Sequence, residues 1–277
     1  MPVISVLWGL GLLTAVALSL LWNGTMAYSL THNDLESAEI TAALEAGVNR
    51  AVAGLLDARP DQRWRADGVP QSFEFGGVYM KVSIEDELGK IDLNQADVAL
   101  MVSLLQSAGL VLRSAGDLAD KIADWRTATP LKHLNGAKDQ DYRMAGITYR
   151  PRNGPFQSVA ELLLVMDMTP VLFRRIEPAL TVYSGHQFVD ARVAPREVLR
   201  ALPGLTPDSV EAQLDARTRQ LPPADRSAGD GLSSLRGRAF TIRIAFEKSN
   251  KTIKQEAAIR LTEDLDQPYW LLSWRRL

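Results

Sequence analysis

The first 33 residues form one long apolar segment without Asp, Glu, Lys or Arg. Residues 1–22 are almost all hydrophobic, and about 20 apolar residues in a helix match the roughly 30 Å hydrocarbon core of a bilayer. The basic start and the small-residue cleavage site of a secretory signal peptide are missing. We therefore predict an anchor helix over residues 1–24 that stays on the mature protein.

Helical spacing continues after the anchor. Leu44, Val48, Val52 and Leu55 recur every three or four residues and form one apolar stripe, and Pro60 ends the pattern. This spacing predicts a stalk helix over 31–58, whose outer half must pack on a globular domain.

Strand patterns lie on both sides of a helical block. Alternating apolar residues from Phe73 to Ile84 surround Gly76-Gly77 and predict a hairpin. Further strands are predicted at 239–247, 252–261 and 269–274. Short helices are predicted at 97–107, 115–125, 158–166, 170–176, 195–201 and 207–214.

These elements predict an α+β fold, in which a sheet domain packs on the stalk and contains an inserted helical domain. The predicted organisation is an anchor at 1–24, stalk and first strands at 25–92, a helical domain at 93–219, and a linker with the remaining strands at 220–277.

A long connection over 127–155 interrupts the helical block. Its glycines and proline favour a functional loop, either ordered or mobile. Trp125, at the helix end before it, is expected in the core, and Phe156 is expected to anchor the loop there.

Composition narrows the possible chemistry. The 277 residues carry a net charge of −2 and no cysteine, which excludes disulfides, Cys-ligated metals and Cys nucleophiles. No common catalytic motif occurs. The acidic cluster Glu85, Asp86 and Glu87 lacks a nucleophile or histidine nearby, so we interpret it as a charged turn after a strand. We predict that the protein is not an enzyme. The alternative hypothesis of a membrane-tethered enzyme is supported by those carboxylates alone.

An internal repeat lies within the helical block. Residues 91–96 and 189–194 both read apolar-Asp-x-x-x-Ala, and each precedes a short helix followed by Gly109 or Gly204. Such units resemble helix-hairpin-helix or sterile-alpha-motif-like modules, which bind duplexes through turn amides. The second turn keeps one of the two expected glycines and acidic residues outnumber bases nearby, so a packing unit with a capped helix start at Asn94 is favoured. A membrane-anchored DNA receptor is the alternative.

Several segments, taken together and in order, resemble the minor pseudopilin K family of type II secretion systems. They include EDELGKIDLNQA, LADKIADWR and YRPRNGPFQSVAELLLV, and span 6–18, 85–96, 118–126, 136–143, 149–165, 168–184 and 198–205. The resemblance implies a pilin-like fold, with a long N-terminal helix on an antiparallel sheet and a large inserted helical domain. It also implies a place at the tip of a periplasmic pseudopilus.

The same resemblance implies partners and a location. The partners are the minor pseudopilins I and J, the major pseudopilin and the inner-membrane secretion platform, without nucleic acid. The protein is expected to cross the bacterial inner membrane once, with its globular part in the periplasm. The expected interface residues are Ser5, Leu44, Val48, Val52 and Leu55.

Family members are made with a short leader that is removed before the new N-terminus is methylated. This sequence shows no such leader, so we expect Met1 at about the mature first position. Ser5 then stands where pilin-like proteins generally carry a glutamate that pairs with the subunit above. A subunit at the tip has no such neighbour.

Calcium binding is also implied for the long connection. Asp124, Asp139 and Asp141 are the candidate ligands, whereas Lys138 stands at a position expected to be acidic. Because Ca²⁺ takes six to eight oxygen ligands, a polar loop without metal remains the alternative.

Overall fold

The structure is a computed structural model that describes residues 2–59, 61–219, 235–248, 251–264 and 266–277. The side chains of 2, 5, 6 and 15–34 are outside that description. The predictions for Met1 and Ser5, much of the predicted anchor, and 220–234 of the predicted linker therefore lie outside the described residues. Within the described part of the chain, no helix is apolar over enough residues to cross a membrane.

The helices are α1 (Pro2–Leu55), α2 (Val98–Ser107), α3 (Leu112–Arg126), α4 (Asp139–Met144), α5 (Pro170–Ile176), α6 (Arg196–Ala201) and α7 (Pro207–Arg219). The strands are β1 (Gln71–Phe75), β2 (Val78–Asp86), β3 (Ile91–Asp92), β4 (Leu180–Thr181), β5 (Ala239–Lys248), β6 (Lys251–Leu261) and β7 (Tyr269–Arg276). Short 3₁₀ turns occupy Glu87–Gly89, Val159–Leu164 and Glu177–Ala179. The predicted α+β class is confirmed.

Five antiparallel strands form the main sheet in the order β1-β2-β5-β6-β7. The predicted hairpin is confirmed, because Phe75 pairs with Val78 across Gly76 and Gly77. Both glycines have positive φ, 57° and 77°, as a two-residue type I′ turn requires. The chain leaves the sheet after β2 and returns to pair β5 with β2, so the helical domain is inserted between neighbouring strands.

The helix α1 packs its apolar stripe on this sheet. Leu44, Val48, Val52 and Leu55 are 7%, 2%, 4% and 2% exposed and share a core with β2, β5 and β6. The helix approaches closely at Gly47, where a Cβ would lie 2.7 Å from Ile244 Cδ1. The prediction that these four side chains contact a partner is therefore corrected: a single amphipathic stripe buries itself first in its own sheet.

The helical domain lies at one end of the sheet. Lys248, at the end of β5, pairs with Glu39 in the middle of α1. The opposite end of β5 pairs with the end of β2, through Phe240 and Asp86, and Leu55 at the end of α1 belongs to the same core as Phe240. The chain therefore enters and leaves the helical domain near the C-terminal end of α1, away from the N-terminal segment.

Within the helical domain three expectations change. The predicted helix 158–166 is a 3₁₀ turn at Val159–Leu164, and the long connection contains α4. The residue that caps α2 is Asp97, whose side chain accepts the Leu100 amide at 2.7 Å. Asn94 instead bonds a distant segment, which local sequence spacing does not reveal.

The acidic cluster is a charged turn after a strand, as predicted, but two of its side chains are buried. Asp86 and Glu87 are each 2% exposed. Asp86 pairs with Arg238, Glu85 with Arg243, and the Lys90 ammonium lies 2.7 Å from Glu87 Oε1. Lys90 is a local partner, but Arg243 lies in β5 and Arg238 immediately before it, about 150 positions from Glu85 and Asp86, so tertiary contact supplied two of the three cations.

Candidate functional site

The helical domain contains two helix-turn-helix units. The first unit comprises 91–126 with α2 and α3, and the second comprises 189–219 with α6 and α7. The first helices of the two units contact each other. Ala96 and Ala194 of the repeat are both buried, so small residues let the chain pack closely where each unit begins.

The turns of the two units correspond. Gly109 and Gly204 follow the first helix of each unit with φ of 104° and 84°. This left-handed conformation is accessible to glycine without the steric cost that other residues bear. The predicted repeat therefore marks two equivalent turns.

An arginine completes each unit, and the sequence reasoning missed it. Arg126 donates to the carbonyl oxygens of Leu93 and Ala96. Arg217 donates to the carbonyl oxygens of Ala191 and Ala194. These acceptors lie one and four residues after the repeated aspartate in both units. Burial lowers the pKa of both guanidinium groups.

The repeated aspartates differ in their reach. Asp92 is 2% exposed and accepts the Asn94 amide at 2.8 Å, the Ser184 hydroxyl at 3.0 Å and the Gly185 amide at 2.8 Å. The Asp190 carboxylate accepts from the amide and the guanidinium of Arg192. Asp92 thus connects the start of the helical segment, at β3, with the segment that ends at Gly185. The strands β3 and β4 pair in parallel at the same place.

The first unit also supports the long connection. Trp125 is 3% exposed and stacks on Phe156 with ring centroids 6.1 Å apart. Tyr142 of α4 lies 6.1 Å from the same indole ring. Asn94 accepts the Phe156 amide at 2.7 Å and donates to its carbonyl oxygen at 3.0 Å. The predictions that Trp125 is a core residue and that Phe156 anchors the loop are confirmed.

Asp124 binds the backbone and a side chain of the long connection. It is fully buried, and its carboxylate accepts the His133 amide at 3.2 Å, while Oδ1 lies 2.7 Å from His133 Nδ1. The loop backbone lies directly against this carboxylate, because a Cβ on Gly136 would be 1.8 Å from Asp124 Oδ2. Asp124 therefore binds loop groups and not an exposed ligand.

Lys138 is the buried cation of the loop. It is 8% exposed, and Nζ donates to the carbonyl oxygens of Asp124 at 2.6 Å and Thr127 at 2.5 Å and to Asn153 Oδ1 at 3.4 Å. Burial lowers the pKa of Lys138, and the carboxylates of Asp124 and Asp139 oppose that shift.

The remaining candidate metal ligands have other partners. Asp139 accepts from Asn153 Nδ2 at 3.0 Å. Asp141 accepts from Lys132 Nζ at 2.5 Å and from the Lys138 amide at 2.9 Å, and these hydrogen bonds lower its pKa. Among the described residues, no group of three or more His, Asp or Glu side chains is arranged to hold a metal ion.

A cleft of about 460 Å³ lies between the helical domain and the sheet. Several charged side chains line it: Arg275 pairs with Glu177 and Glu256 at 2.8 and 2.7 Å, and Arg243 bonds Glu256 at 2.8 Å. The Arg275–Glu177 pair connects the last strand to the helical domain, and the other two pairs join strands of the sheet.

The turn of the second unit offers little to a nucleic acid phosphate. Arg196 and Arg200 both pair with Glu211, and Arg219 pairs with Asp215. Because phosphate binding needs cations that are free to replace counterions, this geometry does not favour the duplex-binding alternative.

The family model described as type II secretion system protein K matches residues 84–185. This range contains the first unit, the long connection and the two short strands that close the segment. Over this range the chain is similar to the protein K family of type II secretion systems.

A curated relative and a solved structure agree with this similarity. The type II secretion system protein K of Pseudomonas aeruginosa is 27% identical over 169 residues, which cover 57% of this chain and 50% of that protein. The chain thus matches about half the length of this relative. A chain in the crystal structure of the GspK–GspI–GspJ complex from enterotoxigenic Escherichia coli has the same fold, with a TM-score of 0.63, 14% identity, and coverage of 89% of this chain and 99% of that one.

Proposed function

We propose that this protein is a minor pseudopilin that lies at the tip of a type II secretion pseudopilus, where it helps to initiate and cap assembly. It acts by assembly and not by catalysis. The family similarity of residues 84–185 supports a role in secretion. The position at the tip rests on the placement of the helical domain.

That placement is the observation that carries the proposal. The α1 helix is about 80 Å long, and the inserted domain joins the sheet near the C-terminal end of this helix. In a fibre built by stacking such helices, the domain would occupy the space of the next subunit above. A subunit of this shape fits where nothing is stacked above it.

We propose that the outer face of α1 contacts pseudopilins I and J. Ala38, Ala42 and Glu45 are exposed on this face, to one side of the stripe that the sheet buries. Small side chains at two of these positions allow another helix to approach closely.

The N-terminal part of the proposal rests on the sequence. Residues 1–24 anchor the protein in the inner membrane until assembly, and the globular part lies in the periplasm. Met1 lies close to the processed, methylated N-terminus, which mass spectrometry of the native protein can identify. A neutral Ser5 leaves no unpaired carboxylate at the tip, so Ser5→Glu should lower incorporation into pseudopili.

The long connection supplies a further surface for contacts. Leu131, Leu134 and Met144 are 78%, 93% and 79% exposed. In the proposed assembly they face a secreted protein or the outer-membrane secretin.

Site-specific cross-linking tests the arrangement, because the chain has no cysteine of its own. Ala42→Cys places a photoreactive maleimide on the outer face of α1, and Leu134→Cys places the same reagent on the helical domain as the matched position. We expect Ala42→Cys to capture pseudopilin I or J in co-expressed complexes. We expect Leu134→Cys not to capture the major pseudopilin. Capture of the major pseudopilin from Leu134→Cys would contradict the tip position, and loss of any product from Ala42→Cys would contradict the proposed partner face.

A further inference from the structure

The long connection surrounds a buried cation that the chain supplies itself. Calcium is the ion that the family resemblance implies for this loop, so we tested whether the residues present fit it. Lys138 reaches into the loop from the residue before α4 and is almost completely buried. Its ammonium lies among oxygen atoms from the end of α3 and from two positions in the loop.

The acceptors match an ammonium group and not a calcium ion. The three oxygens, two from main-chain carbonyls and one from the Asn153 amide, equal the number of N–H groups on a protonated lysine. A calcium ion would need six to eight oxygens.

The nearby carboxylates are bound elsewhere. Asp124 is held by His133 and lies against the backbone of Gly136. Asp141 is held by Lys132 and by the Lys138 amide. A divalent cation could recruit them only by displacing these donors.

We infer that the Lys138 ammonium replaces a metal ion as the central cation of the 127–155 loop, so that the loop is ordered without calcium. Asn153 supports this arrangement, because its side chain accepts from Lys138 through Oδ1 and donates to Asp139 through Nδ2. Its φ of 53° is one that asparagine tolerates better than most residues. The loop that carries the exposed Leu131, Leu134 and Met144 is thus independent of the calcium concentration around it.

The test is hydrogen exchange of the full chain, read by mass spectrometry on peptides from residues 127–155. The wild type is measured in millimolar Ca²⁺ and in chelator. Lys138→Met removes the ammonium and keeps most of the side-chain volume. Lys132→Met is the matched control, since it removes the same charge from the same loop, but at a lysine that is 46% exposed and binds only Asp141 among the described residues.

We expect wild-type exchange to be the same in Ca²⁺ and in chelator. We expect Lys138→Met to raise the exchange rate of the loop by about tenfold or more. The variant leaves buried carbonyl oxygens without a donor, which lowers the free energy of local opening. Lys132→Met should raise it by less than about threefold.

Slower exchange of the wild-type loop in Ca²⁺ would overturn the inference, as would equal effects of Lys138→Met and Lys132→Met. If Lys138→Met does not fold, the comparison of the wild type in Ca²⁺ and chelator still decides the question. The inference does not depend on the proposed position in the pseudopilus, because every measurement is made on the isolated chain.

Discussion

In the first unit the side chain of the repeated aspartate, Asp92, accepts from Ser184 and Gly185, 92 and 93 positions away. In the second unit the side chain of Asp190 accepts from Arg192, two residues later. The two units otherwise share a buried alanine, a glycine turn and an arginine that donates to equivalent carbonyls. The first unit adds the aromatic cluster around Trp125 and the long loop. The comparison indicates that both units have the same helical arrangement, which holds a loop in the first unit and acts as a packing unit in the second.

The largest expected effect concerns the aspartates. Asp92→Ala leaves the Ser184 hydroxyl and the Gly185 amide without their acceptor in a buried place, so we expect the free energy of opening the helical domain to fall by about 3 kcal/mol. Asp190→Ala is the matched control and should cost about 1 kcal/mol or less. Hydrogen exchange of peptides from 91–126 and 189–219 measures both, and equal losses would show that the units do not differ in this way.

A pH effect is expected at the junction before the first unit. Burial raises the pKa of Asp86 from 3.8 to about 6, although Arg238 opposes the shift. A carboxyl group with a raised pKa stabilises the fold below pH 3.8, and this contribution is lost as the pH rises through about 6.

At about 1.4 kcal/mol per pKa unit, we expect a loss of about 3 kcal/mol across this window from Asp86. Asp86→Asn should remove that slope in urea unfolding measured at several pH values. Its side-chain oxygen can still accept the Leu88 amide, as Asp86 does at 2.9 Å. An unchanged slope in the variant would place the pH dependence elsewhere.

Variants of Arg126 and Arg217 test whether the two units are stabilised in the same way. Arg126→Met and Arg217→Met each remove two hydrogen bonds to buried carbonyl oxygens, and we expect each to cost about 2 kcal/mol. The losses should appear in the exchange of the unit that carries the change. If only Arg126→Met lowers the free energy of opening, the arginine hydrogen bonds that the two units share do not stabilise the second unit.

The smallest effect is expected at the surface of the second unit. Arg200→Ala breaks an ion pair with Glu211 in which both side chains are about half exposed. Such pairs contribute about 0.5 kcal/mol or less. Urea unfolding should therefore hardly change, and a loss above about 1 kcal/mol would mean that this turn has a further contact.

Much of the fold follows from periodicity. The hairpin around Gly76-Gly77, the three C-terminal strands and five of the six short helices match the predicted patterns within a few residues. Each pattern reflects an apolar face that had to be buried, which is a local property of the chain. The family resemblance also rested on ordered local segments, most of which lie within residues 84–185.

Other features depended on contacts between distant residues. Spacing identified the stripe on α1, but not whether the sheet or a partner covers it. The sequence did not reveal the ion pairs of Glu85 and Asp86, because their partners Arg243 and Arg238 are about 150 residues away.

The loop shows the same limit most clearly. The sequence identified Asp124, Asp139 and Asp141 as oxygen ligands and Lys138 as a departure from an acidic pattern. It could not show that the Lys138 side chain turns inward to bind carbonyl oxygens, since main-chain carbonyls carry no sequence signal. Residue types and spacings alone determined the elements and the family resemblance of residues 84–185. The tertiary structure decided which charges are buried together, because a buried charge is stable only where the fold brings its partners to it.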